Sequence, residues 1–293
     1  PKLVSSYDGI RKYIEHSESN DNYFYALHGL SIQRLQDFVK TRFLYRDGFY
    51  KCGDIYSSAL SMRCTGTNMS VKITAAKDGF FGIGVDQTMN LRESVYLKAG
   101  ESATLHSENT NLASGIMLYI YGADNIAELD IRNATPKQSG WDISQATLMR
   151  KLIIGGSNYS PATLTGEELS TLNLGQMPFL EEIDVKNFPL TSIDATYCPR
   201  LVSVLATGSK MQSITLAETS PIEILQLPNT MTNLSFINLP NLVYPNGSLV
   251  IEGFSNVKRL QLVGSPKIDA YALLKDVIDG GASIKDINVT ELD

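Results

Sequence analysis

From about residue 129 onward the apolar residues recur in short triplets, apolar–x–apolar, each preceded by another apolar residue a few positions upstream. Leu180–Ile183–Val185, Leu190–Ile193–Ala195 and Leu201–Val204–Ala206 are three consecutive cases. Triplets start at Leu129, Trp141, Leu152, Ala162, Leu172, Ile183, Ile193, Val204, Ile214, Leu225 and Leu234, with every gap between 9 and 12 residues. Taken alternately they make two series. Leu129, Leu152, Leu172, Ile193, Ile214 and Leu234 form one; Trp141, Ala162, Ile183, Val204 and Leu225 form the other, continued at Leu249. The step within a series is close to 21 residues, which lies in the 20–29 range of leucine-rich repeats.

Such a triplet places two side chains on one face of a short strand and one on the other. Copies stacked about 4.8 Å apart build a parallel ladder around a continuous apolar core. Two triplets per coil predict strands on two sides of the solenoid. Pro178, Pro189, Pro199, Pro221, Pro240 and Pro266 mark corners, where a fixed φ and a missing N–H are tolerated. Ile126, Met149, Leu169, Leu180, Leu190, Leu201, Met211, Ile222, Met231 and Val257 complete an L-x-x-L-x-L core. Asn133, Asn187 and Asn238 stand where leucine-rich repeats often carry a bonding Asn. Beyond residue 240, Leu249–Ile251 and Leu260–Leu262 read as further rungs. The stretch around Ala272, Leu273, Val277 and Ile278, stopped by Gly280 and Gly281, predicts a helix that caps the open end.

Ahead of the repeats the period changes. Ser31 is placed to cap a helix whose stripe is Ile32, Leu35, Phe38, Val39 and Phe43. From about 52 to 121 the pattern alternates as strands, with turns at Lys77-Asp78-Gly79 and Ala99-Gly100-Glu101. The expected fold is mainly β: a leucine-rich-repeat-like solenoid preceded by a small antiparallel β-sandwich and an N-terminal helical segment. The domains are then 1–50 (helical lead), 51–121 (sandwich) and 122–293 (solenoid with its C-terminal cap).

The segments YALHGLSIQRLQDFVKTRFLYRDGFY, VKITAAKDGFFGIGVD, VYLKAGESATL and YIYGADNIAELDI follow one another in that order. Together they resemble minor structural proteins of tailed bacteriophages that infect gut bacteria, the crAss-like group among them. In those proteins a helix ending in R-x-x-Y-x-D, here Arg42, Tyr45 and Asp47, leads into a small β domain. A Y-I-Y-G-A-x-x-I segment, here Tyr119 to Ile126, then opens a leucine-rich array. The resemblance covers roughly residues 23 to 270 and implies a virion component, tail- or portal-associated, that oligomerises around the virion axis. It carries over no catalytic residue.

Composition adds limits. Apolar residues make up 43 % and charged residues 19 %, enough for a packed core and against wholesale disorder. A formal charge of −6 argues against nucleic acid, whose phosphates call for clustered Lys and Arg. No run of about 18 apolar residues offers a membrane span. The start, Pro1-Lys2-Leu3-Val4 without Met or a signal-peptide pattern, suggests a piece of something longer. Cys52, Cys64 and Cys198 form no C-x-x-C pair and read as small buried residues, although Cys52 and Cys64 would be bridgeable on neighbouring strands.

Candidate chemistry is sparse. His16, His28 and His106 lie in different segments with no metal-ligand spacing between them. Gly82 and Gly84 lack the third Gly and the lysine of a phosphate loop and read as close backbone packing. Asp130, Asp142, Asp184 and Asp194 occupy the outward centre of their triplets. In the two series above, Asp130 and Asp194 lie roughly 14 Å apart, and Asp142 and Asp184 roughly 10 Å. Paired glycosidase carboxylates stand closer than that, so these read as solvated strand faces.

The expectation is therefore no catalytic, cofactor-binding or metal site and no cofactor. A structural or docking segment, working in the virion through contacts with other virion proteins or copies of itself, fits best; nucleic acid and membrane are not expected partners, and no host-surface ligand is legible. The rival is a leucine-rich-repeat adhesin on the surface of a gut bacterium.

Overall fold

The structure, a computed structural model, describes residues 58–65, 69–85, 91–107, 115–155 and 166–290. The helix expected on the Ile32–Phe43 stripe lies outside them, as do His16, His28, Cys52 and Ala162.

The chain is mainly β, and its repeat forms a β-solenoid of about seven turns. The first strands are β1 (Ala59–Thr65), β2 (Ser70–Ala75), β3 (Gly79–Gly84), β4 (Leu91–Leu97), β5 (Ser102–His106), β6 (Ile116–Tyr121) and β7 (Ile126–Asp130). They continue as β8 (Thr135–Pro136), β9 (Lys151–Ile153), β10 (Thr171–Asn173), β11 (Glu182–Asp184), β12 (Ser192–Ala195) and β13 (Ser203–Leu205). Then come β14 (Ser213–Leu216), β15 (Ile224–Leu227), β16 (Asn233–Ile237), β17 (Leu249–Ile251), β18 (Arg259–Val263), the helix α1 (Ala270–Asp279) and β19 (Asp286–Thr290).

Alternation decides which way the early strands face. Leu60, Met62 and Cys64 of β1, Phe81 and Ile83 of β3, and Leu118 and Ile120 of β6 are buried at every second position. These strands belong to a five-stranded sheet in the order β4-β3-β6-β1-β8, antiparallel in every pairing. Val71, Ile73 and Ala75 of β2 and Leu105 of β5 are buried against the same core. Their sheet does not stop at the repeats. It runs β17-β15-β13-β11-β9-β7-β2-β5, eight strands in one order. The pivot is β7, which pairs antiparallel with β2 and parallel with β9. Gly82 and Gly84 lie within β3, opposite Tyr121 and Tyr119 on β6, whose rings stack with centroids 6.4 Å apart. Aromatic neighbours of this kind compensate strand glycines for their missing side chains.

One side of the solenoid stacks Leu129, Leu152, Ile183, Val204, Leu225 and Leu249 in direct register. The other stacks Leu172, Ile193 and Ile214 on β10-β12-β14, and then Leu234, Leu260 and Ile287 on β16-β18-β19. The even alternation expected from the spacing fails at one place. Leu152 pairs with Ile183, not with Leu172, and Leu129 goes with it. The expectation counted the Ala162 triplet as a rung, and the direct pairing of β9 with β11 leaves no place for one in that ladder. Nor does Trp141 open a rung: Asp142 bridges Ser61 of β1, while Thr135 and Pro136 pair with Thr65 and Cys64. The first coil thus gives its second side to the antiparallel sheet.

Corners carry the rest of the pattern. The upstream Ile, Leu, Met and Val residues from Ile126 to Val257 are all fully buried, one behind the other. The six corner prolines sit outside the strands. Asn187 and Asn238 are left-handed, at φ 58° and 55°, a conformation Asn tolerates better than other side-chain-bearing residues. A Cβ on Gly208, itself at φ 69°, would stand 2.1 Å from Asn187 Oδ1 on the preceding coil, so the two turns stack only with glycine there.

The C-terminal helix forms as the pattern predicts. Asp269 accepts a hydrogen bond from Ala272 N–H, 3.0 Å, as the N-cap, and Leu273 and Val277 are buried. Tyr244 Oη donates to Asp276 on its flank. The rung that follows, β19, is absent from the sequence reading, although Ile287 and Val289 alternate with polar residues. Among the described residues no helix is long and apolar enough to cross a membrane.

Two substitutions test the stack. Ile193→Asp puts an unpartnered carboxylate into a position only 2 % exposed and should cost on the order of 4 kcal/mol or more, read as a large drop in the urea midpoint. Gly155→Ala would set a Cβ 2.2 Å from the Lys186 carbonyl oxygen of the next coil, and should lower unfolding free energy by about 1–3 kcal/mol with an unchanged far-UV spectrum.

Candidate functional site: corner carboxylates and a cleft in the ladder

The outward carboxylates proved to share a local task. Asp130 Oδ1 accepts from Arg132 N–H at 3.1 Å, Asp142 from Ser144 at 2.9 Å, Asp184 from Lys186 at 3.1 Å and Asp194 from Thr196 at 3.1 Å. Asn173 does the same for Gly175 at 3.0 Å. Each is an Asx turn, a side-chain oxygen closing on the backbone two residues on, and each starts the corner after its strand or bridge. The signal was in the sequence: an Asp or Asn at the centre of a triplet, two residues before the chain must turn.

Charge then accumulates around two of them. Arg132 forks onto Asp130 with Nη2–Oδ2 2.6 Å and Nε–Oδ1 3.0 Å. Burial pushes the Asp130 carboxyl up, but hydrogen bonds and charge from Arg132 outweigh it and hold it below its ordinary value. Asp130, Ile153 and Asp184 follow one another in one outward column, two rungs or roughly 10 Å apart at the ends. That corrects the expected grouping, since Asp194 lies in the opposite sheet and Asp142 in neither column. Lys186 Nζ stands 3.2 Å from Asp184, and Lys151 Nζ stands 2.8 Å from Glu182 on the neighbouring rung. Opposite charges thus sit beside one another on this strand face, and Arg132 also feels the charge of Asp184.

The other candidates are dispersed. His106 contacts Glu93 through Nδ1 at 3.0 Å on the exposed edge strand β5. Cys64 and Cys198 are free thiols in the core. Burial raises both, and with the nearby charge of Asp194 pushes Cys198 up to about 12, so neither is a thiolate at neutral pH. Among the described residues no group of three or more His, Cys, Asp or Glu could hold a metal ion.

One concavity stands out on the second side of the solenoid. The ladder β10-β12-β14 ends at β14, and β16 starts a new one, with no bridge between them. At the start of the gap the two strands are still tied, as the N–H groups of Thr232 and Asn233 donate to the Gln212 carbonyl at 3.0 and 3.2 Å. Beyond that they part around a cleft of about 370 Å³. Ile214, Leu216 and Leu234 line it with Ser213, Thr215 and Ser235, and Arg259, Gln261 and Asp286 form the far wall. Ile214 and Leu216 are only partly buried there, whereas Ile193 one rung earlier is sealed. The Ser235 hydroxyl is spent on Gln261 Oε1, 3.0 Å, and Arg259 Nε stands 3.9 Å from Asp286. The cleft offers hydroxyl, amide and peptide groups for binding. Sequence reasoning missed it because the β14 and β16 triplets look like any others.

Compared with known proteins, no family model, no curated protein and no solved structure matches the chain.

If the corner role is right, Asp194→Ala should cost about 1 kcal/mol while Asp194→Asn, which keeps the acceptor, should cost much less; chemical denaturation of both variants decides it. The Asp130–Arg132 pair has a pH signature. Because its folded carboxyl is held below the ordinary 3.8, its stabilisation is present above that pH and is lost as pH falls through the lower folded value. Asp130→Asn should therefore flatten the acid limb of a stability–pH curve below about pH 4 and leave neutral-pH behaviour nearly unchanged in slope.

Proposed function

We propose that the chain is a non-enzymatic structural and docking segment of a tailed-phage virion protein, working through contacts with other virion proteins or copies of itself. The observation that carries this reading is mechanical. A stack of about seven turns is welded through one continuous eight-stranded sheet to the antiparallel strands ahead of it. Such a body is stiff along its axis, because the ladder from β7 to β17 joins successive coils without a break. At about 4.8 Å per rung it spans roughly 34 Å, a useful spacer. Its outward carboxylates are engaged in corners and ion pairs, which supports reading the faces as surfaces for shape-based contact rather than turnover. The L-x-x-L-x-L period supports a leucine-rich type of repeat with strands on both long sides, and the phage resemblance of the Tyr119–Ile126 segment supports the tail- or portal-associated setting. The antiparallel pairings among β1 to β6 support a small sandwich over 51–121 ahead of the repeats.

Particle composition tests this. Purified virions of a phage that encodes the chain should contain it in fixed copy number by quantitative mass spectrometry, and antibodies to the solenoid should label the tail or the portal vertex. Absence from particles, with the chain instead on the bacterial surface, would replace this reading with the adhesin.

A further inference from the structure

We propose that the gap between β14 and β16 is a binding site for an extended peptide, which adds to the free edge of β14 as the strand that the ladder lacks there. Hydrogen bonding identifies that edge. In a parallel ladder alternate residues turn their peptide groups to opposite sides. Ser213 and Thr215 are the residues of β14 that such a ladder bonds back to β12, so the peptide groups of Ile214 and Leu216 look into the gap. Across it, Asn233 N–H still reaches the Gln212 carbonyl at 3.2 Å, whereas Asn238 N–H donates to Val263 of β18 at 2.9 Å. Ser235 and Ile237 therefore share the gap side with Asn233. Past the Gln212 tie, no backbone hydrogen bond joins the two strands among the described residues. Both walls thus present peptide donors and acceptors at the strand repeat.

The chemistry of the cleft selects the occupant. Its volume of about 370 Å³ is in the range of ligand sites, and it runs beside a strand of four residues, roughly 13 Å of edge. That is a place for a linear ligand. Ile214, Leu216 and Leu234 belong to the inward columns, and Ser213, Thr215 and Ser235 to the outward ones. A strand seated between them meets aliphatic groups with one set of alternate side chains and hydroxyls with the other. Sugars and bases fit less well, because among the described residues no aromatic ring lines the cleft. Anions fit no better, since Arg259 is already opposed by Asp286 at 3.9 Å and the remaining charge, Glu218, is negative. Glu218 is exposed just past the end of β14, where it complements a Lys or Arg at the emerging end of the peptide. The occupant is therefore an extended peptide with aliphatic residues at alternate positions and a basic end. Main-chain pairing supplies the affinity in this mode and the alternate side chains supply the specificity. The site depends on the cleft alone and stands or falls independently of the virion reading.

The probe is the peptide acetyl-Lys-Val-Ser-Val-Ser-Val-Lys-amide, basic at both ends so that either strand direction brings a cation to Glu218. Titrated into the isotope-labelled 293-residue chain, it should bind saturably with a Kd of about 1 mM or tighter. Nuclear magnetic resonance should then show the amides of Ile214, Leu216, Ser235 and Ile237 shifting most. Methylating the peptide nitrogens of all its serines, or of all its valines, keeps every side chain but removes alternate donors. At least one of those two peptides should bind about tenfold more weakly or worse, because the main chain is what β14 reads. Glu218→Lys, at an exposed position, should leave the melting temperature unchanged and weaken the probe about three- to tenfold at low salt. The same peptide ended in Glu should bind Glu218→Lys more tightly than it binds the wild type. No saturable shift at these amides, a probe indifferent to both methylations, or failure of the charge exchange would each overturn the proposal. So would binding of maltose in place of the peptide, which makes the cleft a saccharide site, or shifts of the same amides on concentrating the chain alone, which assign it to a second copy.

Discussion

In-register parallel pairing of one apolar column governs most of this molecule. Leu152, Ile183, Val204 and Leu225 pair directly on successive rungs, so each coil must leave its strand, cross the core and return one rung, about 4.8 Å, further on. That return distance leaves little room at the corners. Left-handed Asn187 and Asn238, the missing side chain at Gly208 and the Asx turns at Asp130, Asp184 and Asp194 all meet this demand. Residues that look like surface decoration in the sequence are therefore bound to the fold through its corners. The same demand sets the aim of each outward acid, whose oxygen closes its own turn.

The sequence made the solenoid visible because the repeat is written twice, once as triplets and once as the buried residue upstream of each. The columns Ile183–Val204–Leu225 and Leu172–Ile193–Ile214 follow from spacing alone and are found in the pairing. The assignment of Leu129 and Leu152 does not follow from it. A triplet reports only that a short strand can form with one face buried, and nothing in Trp141 distinguishes a rung from a segment that passes outside the ladder. Only long-range pairing decides that, as when Asp142 bridges Ser61 across the antiparallel sheet. The cleft was illegible for the same reason. Ile214 and Leu234 have the right residue types for adjacent rungs, and their separation depends on where the ladder restarts rather than on either strand.

The break between β14 and β16 is confined to one side. Across the core, β13, β15 and β17 continue without interruption, so the coil is held by one complete ladder while the other opens. A groove made this way is cheap to hold open, because the apolar residues that bind the coils together, Val204, Leu225 and Leu249, are on the intact side and remain buried. It exposes strand edge at a place other than the ends, with Thr215 and Ser235 as polar neighbours of a partly uncovered Ile214.

The two ends of the ladder differ in kind, and the difference follows from strand direction. A parallel stack has no intrinsic stop, since every rung offers the next the edge it would need. At the first end the stop comes from β7, whose far edge is taken by β2 running the opposite way, and β2 in turn by β5. Antiparallel partners cannot be extended by another coil of the same handed path, and the register irregularity between Thr74 and Ala75 further sets that sheet apart from the repeat. At the other end the chain inserts α1 where the last coil would have placed a strand, which covers one side through Leu273 and Val277, and then returns as β19 parallel to β18. β19 thus keeps the strand direction of the repeat. Strand direction changes at β7 and β2, and it is there that the repeat is fastened to the antiparallel sheet.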